Sequence, residues 1–272
     1  MREDPEALHC PAMRVLVGYD GSEGGRDALE LTRVLGYEEG GTAIVAATEP
    51  LFEEARERLA GLTLETHPLT SGSPAKAIVE LAEAERIDAI VVGSPHRGAV
   101  GRTFVGSVAE AVLHGAPCPV FVASRGYAAA GHGPFGLVAI AYDGTPEAKA
   151  ALARARAIAE ASGASLCLLT VVAPPVALPG GVGYAPIEPP EPEKVLEEGV
   201  REAGGAATVE GRKLDGPPAA TLAQACEDAD LLVAGSRGYG PVMRVLLGSV
   251  SSRLIAEAPC PVLVVPRPRP EP

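Results

Sequence analysis

Tryptophan is absent from the 272 residues and only 4% are aromatic, a scarcity that carries no functional reading by itself. Other shortages exclude more. Lys and Arg number 23 against 35 Asp and Glu, a formal net charge of -12, so the chain lacks the basic face that broad nucleic-acid or anionic-membrane binding requires. No apolar run approaches the ~18 residues of a membrane helix, and the N-terminal MREDPEALHCPA has no signal-peptide core. The cytoplasm is therefore the expected location. The five cysteines, Cys10, Cys118, Cys167, Cys226 and Cys260, show no CxxC spacing, which points to free thiols in a reducing compartment. The histidines, His9, His67, His96, His114 and His132, are scattered without metal or triad spacing, so neither a metal site nor a catalytic residue is assigned. GxxxxGK[ST] occurs nowhere, which excludes the phosphate-binding lysine loop of that motif.

The residues that are present, 47% hydrophobic and 21% charged, suit a globular chain long enough for two domains. The chain is also written twice. MRVLVGYDGSEGGRDALELTRVLG, from Met13, matches FGLVAIAYDGTPEAKAALARARAIAEASG, from Phe135; Asp20 and Asp143 fall at the same place, in YDGS and YDGT. DAIVVGS matches DLLVAGS, and VGSVAEAVLHGAPCPVFVA matches LGSVSSRLIAEAPCPVLVV, in the same order. The second copy alone carries the proline-rich insert APPVALPGGVGYAPIEPPEPE, whose Tyr184 could serve as a lid and is more simply part of a long loop. The expected domains are 13–124 and 134–266, joined through the Gly-rich residues 124–133, with flexible ends at 1–12 and 267–272. Met13 is a candidate functional start.

Each copy alternates strand and helix. MRVLVGY, TAIVAAT, DAIVVGS and CPVFVA are short apolar runs bounded by turn residues. Between them, Ala28, Leu29, Leu31, Val34 and Leu35 recur on a helical period, and AKAIVELAEAE and VGSVAEAVLH are further amphipathic helices. This alternation predicts two tandem α/β domains of doubly wound type, each a parallel sheet of five strands covered on both faces. Ligands in such sheets sit beyond the carboxyl ends of the strands, where the strand order reverses. DGS, DGT and the glycine-rich stretches all follow strands, so they belong at that edge.

GSRGYGPVMRVLLGS, residues 235–249, holds Gly235-x2-Gly238-x9-Gly248-Ser249. Glycines let a backbone approach a ligand closely, and successive N–H groups can form an anion nest. Ser249 opens the helix SVSSRLIAEA, whose first N–H groups lack partners and face the positive end of the helix dipole. Arg237 and Arg244 could supply counter-charge. Glycine-rich turns also follow strands for structural reasons alone, and Asp143 in DGT is an ordinary turn or N-cap residue; the two roles are compatible.

These stretches together resemble the universal stress protein family, in tandem form. Its ATP-binding branch carries G-x2-G-x9-G-[ST], which Gly235, Gly238, Gly248 and Ser249 match, and the DGS/DGT and APCPV elements occur twice. The resemblance covers most of the chain and implies a Rossmann-like fold of the adenine nucleotide alpha hydrolase kind. It further implies ATP, or AMP or ADP, as ligand, with a bridging Mg²⁺ or Mn²⁺. By resemblance Asp143 holds the ribose–adenine end, and Ala141 and Val171 line the adenine slot. Ala234, Gly235, Arg237 and Gly238 wrap ribose and phosphates, and Gly248, Ser249 and Val250 bind phosphates. It also implies that the last strands, VFVA and VLVV, pair across a two-fold axis as an intramolecular pseudo-dimer. A further homodimer and unidentified protein partners are compatible with this reading.

The first copy reads Gly93-x2-His96-x9-Gly106-Ser107. Pro95 replaces Arg237 and has no N–H to donate; His96 replaces Gly238 and brings a Cβ. Asp20, Gly93, Gly106, Ser107 and Val108 are kept. The expectation is a weaker, altered or empty first site, in which His96 is read as a solvent-exposed loop residue of a degenerate frame; the alternative is that His96, Arg97 or Arg102 still meets phosphate and compensates in part. Three functions remain open: a regulatory, stress-response protein that binds nucleotide; a slow ATPase or nucleotide-dependent transferase; and an interaction module with idle sites. The frame contains no evident positioned general base, and its intact second copy disfavours the third.

Overall fold

The computed structural model describes residues 13–39, 41–70, 72–94, 107–173, 191–204, 208–239, 245–246 and 249–266. The first half runs β1 (Arg14–Gly18), α1 (Glu23–Glu39), β2 (Thr42–Ala47), α2 (Phe52–Arg58), β3 (Thr63–Pro68), α3 (Pro74–Ala84), β4 (Ala89–Gly93), α4 (Ser107–Gly115), β5 (Val120–Ala123) and α5 (Tyr127–Ala130). The second half follows with β6 (Leu137–Ala141), α6 (Pro146–Ser162), β7 (Ser165–Val172), α7 (Pro192–Glu202), β8 (Val209–Asp215), α8 (Pro218–Ala225), β9 (Leu231–Gly235), β10 (Arg237–Tyr239), β11 (Val245–Leu246), α9 (Ser249–Glu257) and β12 (Val262–Val265).

One ten-stranded sheet spans both halves in the order β3-β2-β1-β4-β5-β12-β9-β6-β7-β8. Within each half of this sheet the strand pairs are parallel. The central strands are apolar runs because helices cover both faces and leave no wet side on which to alternate. RVLVG, AIVVG, VFVA, LLVAG and VLVV are accordingly buried almost throughout. The halves meet where β5 pairs antiparallel with β12, with Val262 opposite Val122, Leu263 opposite Phe121 and Val264 opposite Val120. That is the pairing expected of VFVA with VLVV.

Helices α1 and α6 lie on one face over a core shared by both halves, in which Ala28, Leu29, Leu31, Val34 and Leu35 are all buried as their period predicts. Each large side chain fully buried in this way contributes roughly 1.5–3 kcal/mol. The opposite face carries two smaller cores, one under α3 and α4 and one under α8 and α9. The four described cysteines are free and buried. Burial pushes the Cys118 thiol up to about 12, which suits packing rather than reactivity.

Residues 124–133, expected as a join, are anchored to α1. Asp27, buried in α1, accepts from the Gly126 and Ala128 N–H groups at 2.9 and 2.8 Å and so caps α5. Tyr127 is buried and stacks on His132 at 3.8 Å, while Arg33 donates to the His132 carbonyl at 3.0 Å. Two further features went unread in the sequence. The second glycine frame contains an antiparallel ribbon, with Arg237 opposite Leu246 and Tyr239 opposite Val245, where a loop was expected. The outer strands β3 and β8 are polar, because each lies at an edge and is largely exposed.

Candidate functional site

In each half the strand order reverses once, between β1 and β4 and between β6 and β9. A cavity opens beyond the carboxyl ends of those strands, at the place where doubly wound sheets take ligands. The second-half cavity, about 500 Å³, is lined by Ala141, Asp143, Val171, Ala234, Gly235 and Val250 together with Thr145, Glu147, Pro218, Leu222, Ser236 and Ser251. Six of the ten residues singled out in the second copy therefore meet there. The first-half cavity, about 660 Å³, takes Asp20, Gly93, Ser107 and Val108 from the corresponding set. Both volumes fall in the range of small-ligand sites, roughly 300–1,000 Å³.

The turn after the first strand is built alike in both halves. Asp143 Oδ1 accepts from the Thr145 N–H at 3.1 Å and the Thr145 hydroxyl at 2.6 Å, and Thr145 Oγ1 accepts from the Ala148 N–H at 3.3 Å, capping α6. Asp20 Oδ1 accepts from the Ser22 N–H at 3.0 Å, and Ser22 Oγ accepts from the Gly25 N–H at 3.0 Å. Gly21 and Gly144 both adopt φ +77°, a left-handed turn position that explains glycine there. The ordinary turn role of these aspartates is thus present. Their carboxylates are also exposed at the cavity wall. Among the described residues the second oxygen of Asp143 takes no hydrogen bond.

The first glycine of each frame has a packing reason. A Cβ on Gly93 would land on the Gly24 carbonyl at the start of α1, and one on Gly235 would lie 2.8 Å from the Glu147 carbonyl carbon in α6. The close approach made by these two glycines is therefore to the neighbouring helix. Neither adopts positive φ. Beyond Gly235, the Ser236 N–H donates to the Val265 carbonyl at 2.9 Å, and the Ser251 hydroxyl donates to the Gly235 carbonyl at 3.1 Å. This last bond ties the first turn of α9 to the end of β9. Thr170 Oγ1 donates to the Tyr142 carbonyl at 2.7 Å and fixes the wall that carries Asp143 and Val171.

Gly238 and the backbone of Arg237 belong to β10, and Ser249 begins α9. Pro95, His96, Arg97, Arg102, Gly106, Tyr184, Arg244, Gly248 and both chain ends lie outside the described residues. Sequence reading missed Glu147, Ser236 and Ser251 as parts of the wall. Ser251 was within reach, as a hydroxyl in the first turn of the helix that Ser249 opens; Ser236 and Glu147 needed the packing of β9 against α6.

Beside the first cavity, Tyr19 lies under a cluster absent from the sequence reading. Glu54 accepts from Arg26 Nε at 2.7 Å and from Arg58 Nε at 3.1 Å. The Arg26 hydrogen bond, followed by the neighbouring Tyr19 and Arg58, holds the Glu54 carboxyl down to about 2. Burial first, then Glu54, pushes the Tyr19 phenol up to about 12. Among the described residues no group of His, Cys, Asp and Glu is arranged to hold a metal, and no helix is long and apolar enough to cross a membrane.

The chain matches the family described as "Universal stress protein family" over residues 36–124 and 135–266. A universal stress protein of Mycobacterium tuberculosis is 33% identical over 235 residues, 84% of this chain and 77% of its own length. A universal stress protein of Thermus aquaticus is 41% identical over 138 residues, 48% of this chain and 98% of its own, so a length of about half this chain covers a whole relative. The crystal structure of a universal stress protein from Archaeoglobus fulgidus superposes with a TM-score of 0.73 at 24% identity, covering 94% of this chain and 98% of that one. That likeness concerns the fold alone.

Proposed function

This chain belongs to the universal stress protein family, and from that membership we propose that it binds an adenine nucleotide, ATP foremost, in the second-half cavity and acts as a cytoplasmic regulatory protein. The observation that carries the reading is convergence. Ala141, Asp143, Val171, Ala234, Gly235 and Val250 come from four separate stretches of chain and line one cavity at the reversal of strand order. In this reading Ala141 and Val171 hold the base between apolar walls. Asp143 accepts from the ribose hydroxyls while its other oxygen keeps the turn. The first N–H groups of α9, with Ser249 and the frame that ends at Gly248, receive the phosphates. A divalent ion, Mg²⁺ or Mn²⁺, would bridge the phosphates. Nucleotide then regulates to the extent that it binds two conformations, or two states of association, unequally.

The test is a calorimetric titration with ATP and Mg²⁺ of the wild type and of Gly248→Asp, with ADP followed in the same samples. The reading predicts about one equivalent on the wild type, none on the variant and no ADP. Absence of binding to the wild type would sink it, and steady release of ADP would replace it with a slow ATPase.

A further inference from the structure

We infer that Ser236 is a phosphate-contacting residue of the second-half cavity, a deeper statement that rests on the nucleotide reading above. Ser236 is 2% exposed, lines the cavity, and its hydroxyl has no hydrogen-bond partner among the described residues. Buried hydroxyls are nearly always paired, and an unpaired one burdens the fold unless another role keeps it. Its surroundings point to the kind of group that would pair with it. The residue before it, Gly235, receives the Ser251 hydroxyl at 3.1 Å, and Val250 and Ser251 of the first turn of α9 line the same cavity. Ser236 thus follows directly on the residue that the first turn of α9 reaches, and unpaired N–H groups at such a helix start favour negative charge. Its own N–H is fixed on Val265, so the inference requires no movement of this backbone bond, only that the hydroxyl turn towards the cavity that Ser236 lines. There it donates to a phosphate oxygen. The first copy has Ser94 at this position, where it is only half-buried.

The full-length chain with Ser236→Ala and Ser236→Cys separates this role from a structural one. Thermal unfolding without nucleotide should leave Ser236→Ala as stable as the wild type or more stable, by up to about 3 °C, because an unpaired buried hydroxyl is removed. Titration with ATP and AMP should show an affinity lower by about tenfold or more, as for a hydrogen bond to a charged group. Adenosine, which lacks phosphate, should bind both proteins alike, and Ser236→Cys, close in shape and a weaker donor, should fall between. Inorganic phosphate as competitor should lose potency on the alanine variant if the phosphate contact alone is read. Equal ATP affinity in the wild type and Ser236→Ala overturns this inference and leaves the nucleotide reading standing. Equal loss for adenosine and ATP also overturns it, since the effect is then general. A wild type that binds neither ATP, AMP nor adenosine overturns both.

Discussion

The two cavities are copies that differ in how their walls are tied. In the second, Ser251 in α9 donates to the end of β9; in the first, the matching residue of α4 is Ala109, which has no hydroxyl to give. At the start of the helix after the first strand, the second half has Glu147 where the first has Gly24, and both line their cavities. The missing side chain accords with the larger first cavity. Val108, at the start of α4, is 38% exposed, whereas its counterpart Val250 is half-buried. The turn that presents Asp20 and Asp143 nevertheless keeps the same backbone bond to the aspartate, the same helix-start bond and the same glycine φ, with the hydroxyl bond to the aspartate added in the second half. The two copies thus share the aspartate turn, which also starts the following helix, and differ in the contacts around it.

Stability should separate the halves most. At Gly93 the facing group is the carbonyl of another glycine, while at Gly235 it is Glu147 backbone at 2.8 Å. Gly93→Ala should cost about 3 kcal/mol and Gly235→Ala about 1–2 kcal/mol, in the range of overpacking, as read by denaturant unfolding. Equal costs would mean that the two helix starts pack alike. Next, Asp143→Ala should weaken ATP binding by about tenfold or more through loss of a charged acceptor, whereas Asp20→Ala should leave ATP affinity unchanged. Each removes the same turn, so unfolding measurements provide the internal control. A smaller effect is expected from Ser251→Ala, about 1 kcal/mol of stability for one buried hydrogen bond, with faster amide exchange in the first turn of α9. Ala109→Ser tests the reverse.

The smallest effect is one of pH and belongs to the first half alone. Glu54 is held at about 2, below its ordinary 4.5. A depressed carboxylate contributes stability that is complete above the ordinary value and is lost as pH falls through the depressed one. The wild type should therefore lose stability between about pH 4.5 and pH 2 relative to Glu54→Gln. Parallel acid-unfolding curves for the two would remove that pairing from the account.

Elements buried on both faces were legible, because burial forces apolar runs of strand length and a helical period on the residues between them. The order of the repeats likewise carried the joining of β5 to β12, through the resemblance. The edge strands β3 and β8 were not, since TLETHP and VEGRKLD face solvent and lose the apolar signature. Nor was the hold of Asp27 on Gly126 and Ala128, which depends on residues about 100 positions away. In the site, Asp143 and Val250 could be named from the repeat and the resemblance. Gly235 was singled out for ligand approach, and its contact with Glu147 emerged only when α6 was packed on β9. Ser236 stood in plain view in DLLVAGS, but an unpaired hydroxyl is a property of surroundings that no spacing records.

Hydrogen–deuterium exchange with and without ATP and Mg²⁺ tests the contrast between the halves most directly. The account predicts protection at residues 141–145, 234–236 and 249–251, with the matching residues 18–22, 92–94 and 107–109 unchanged. Protection in the first-half set instead, or equally in both, would contradict it.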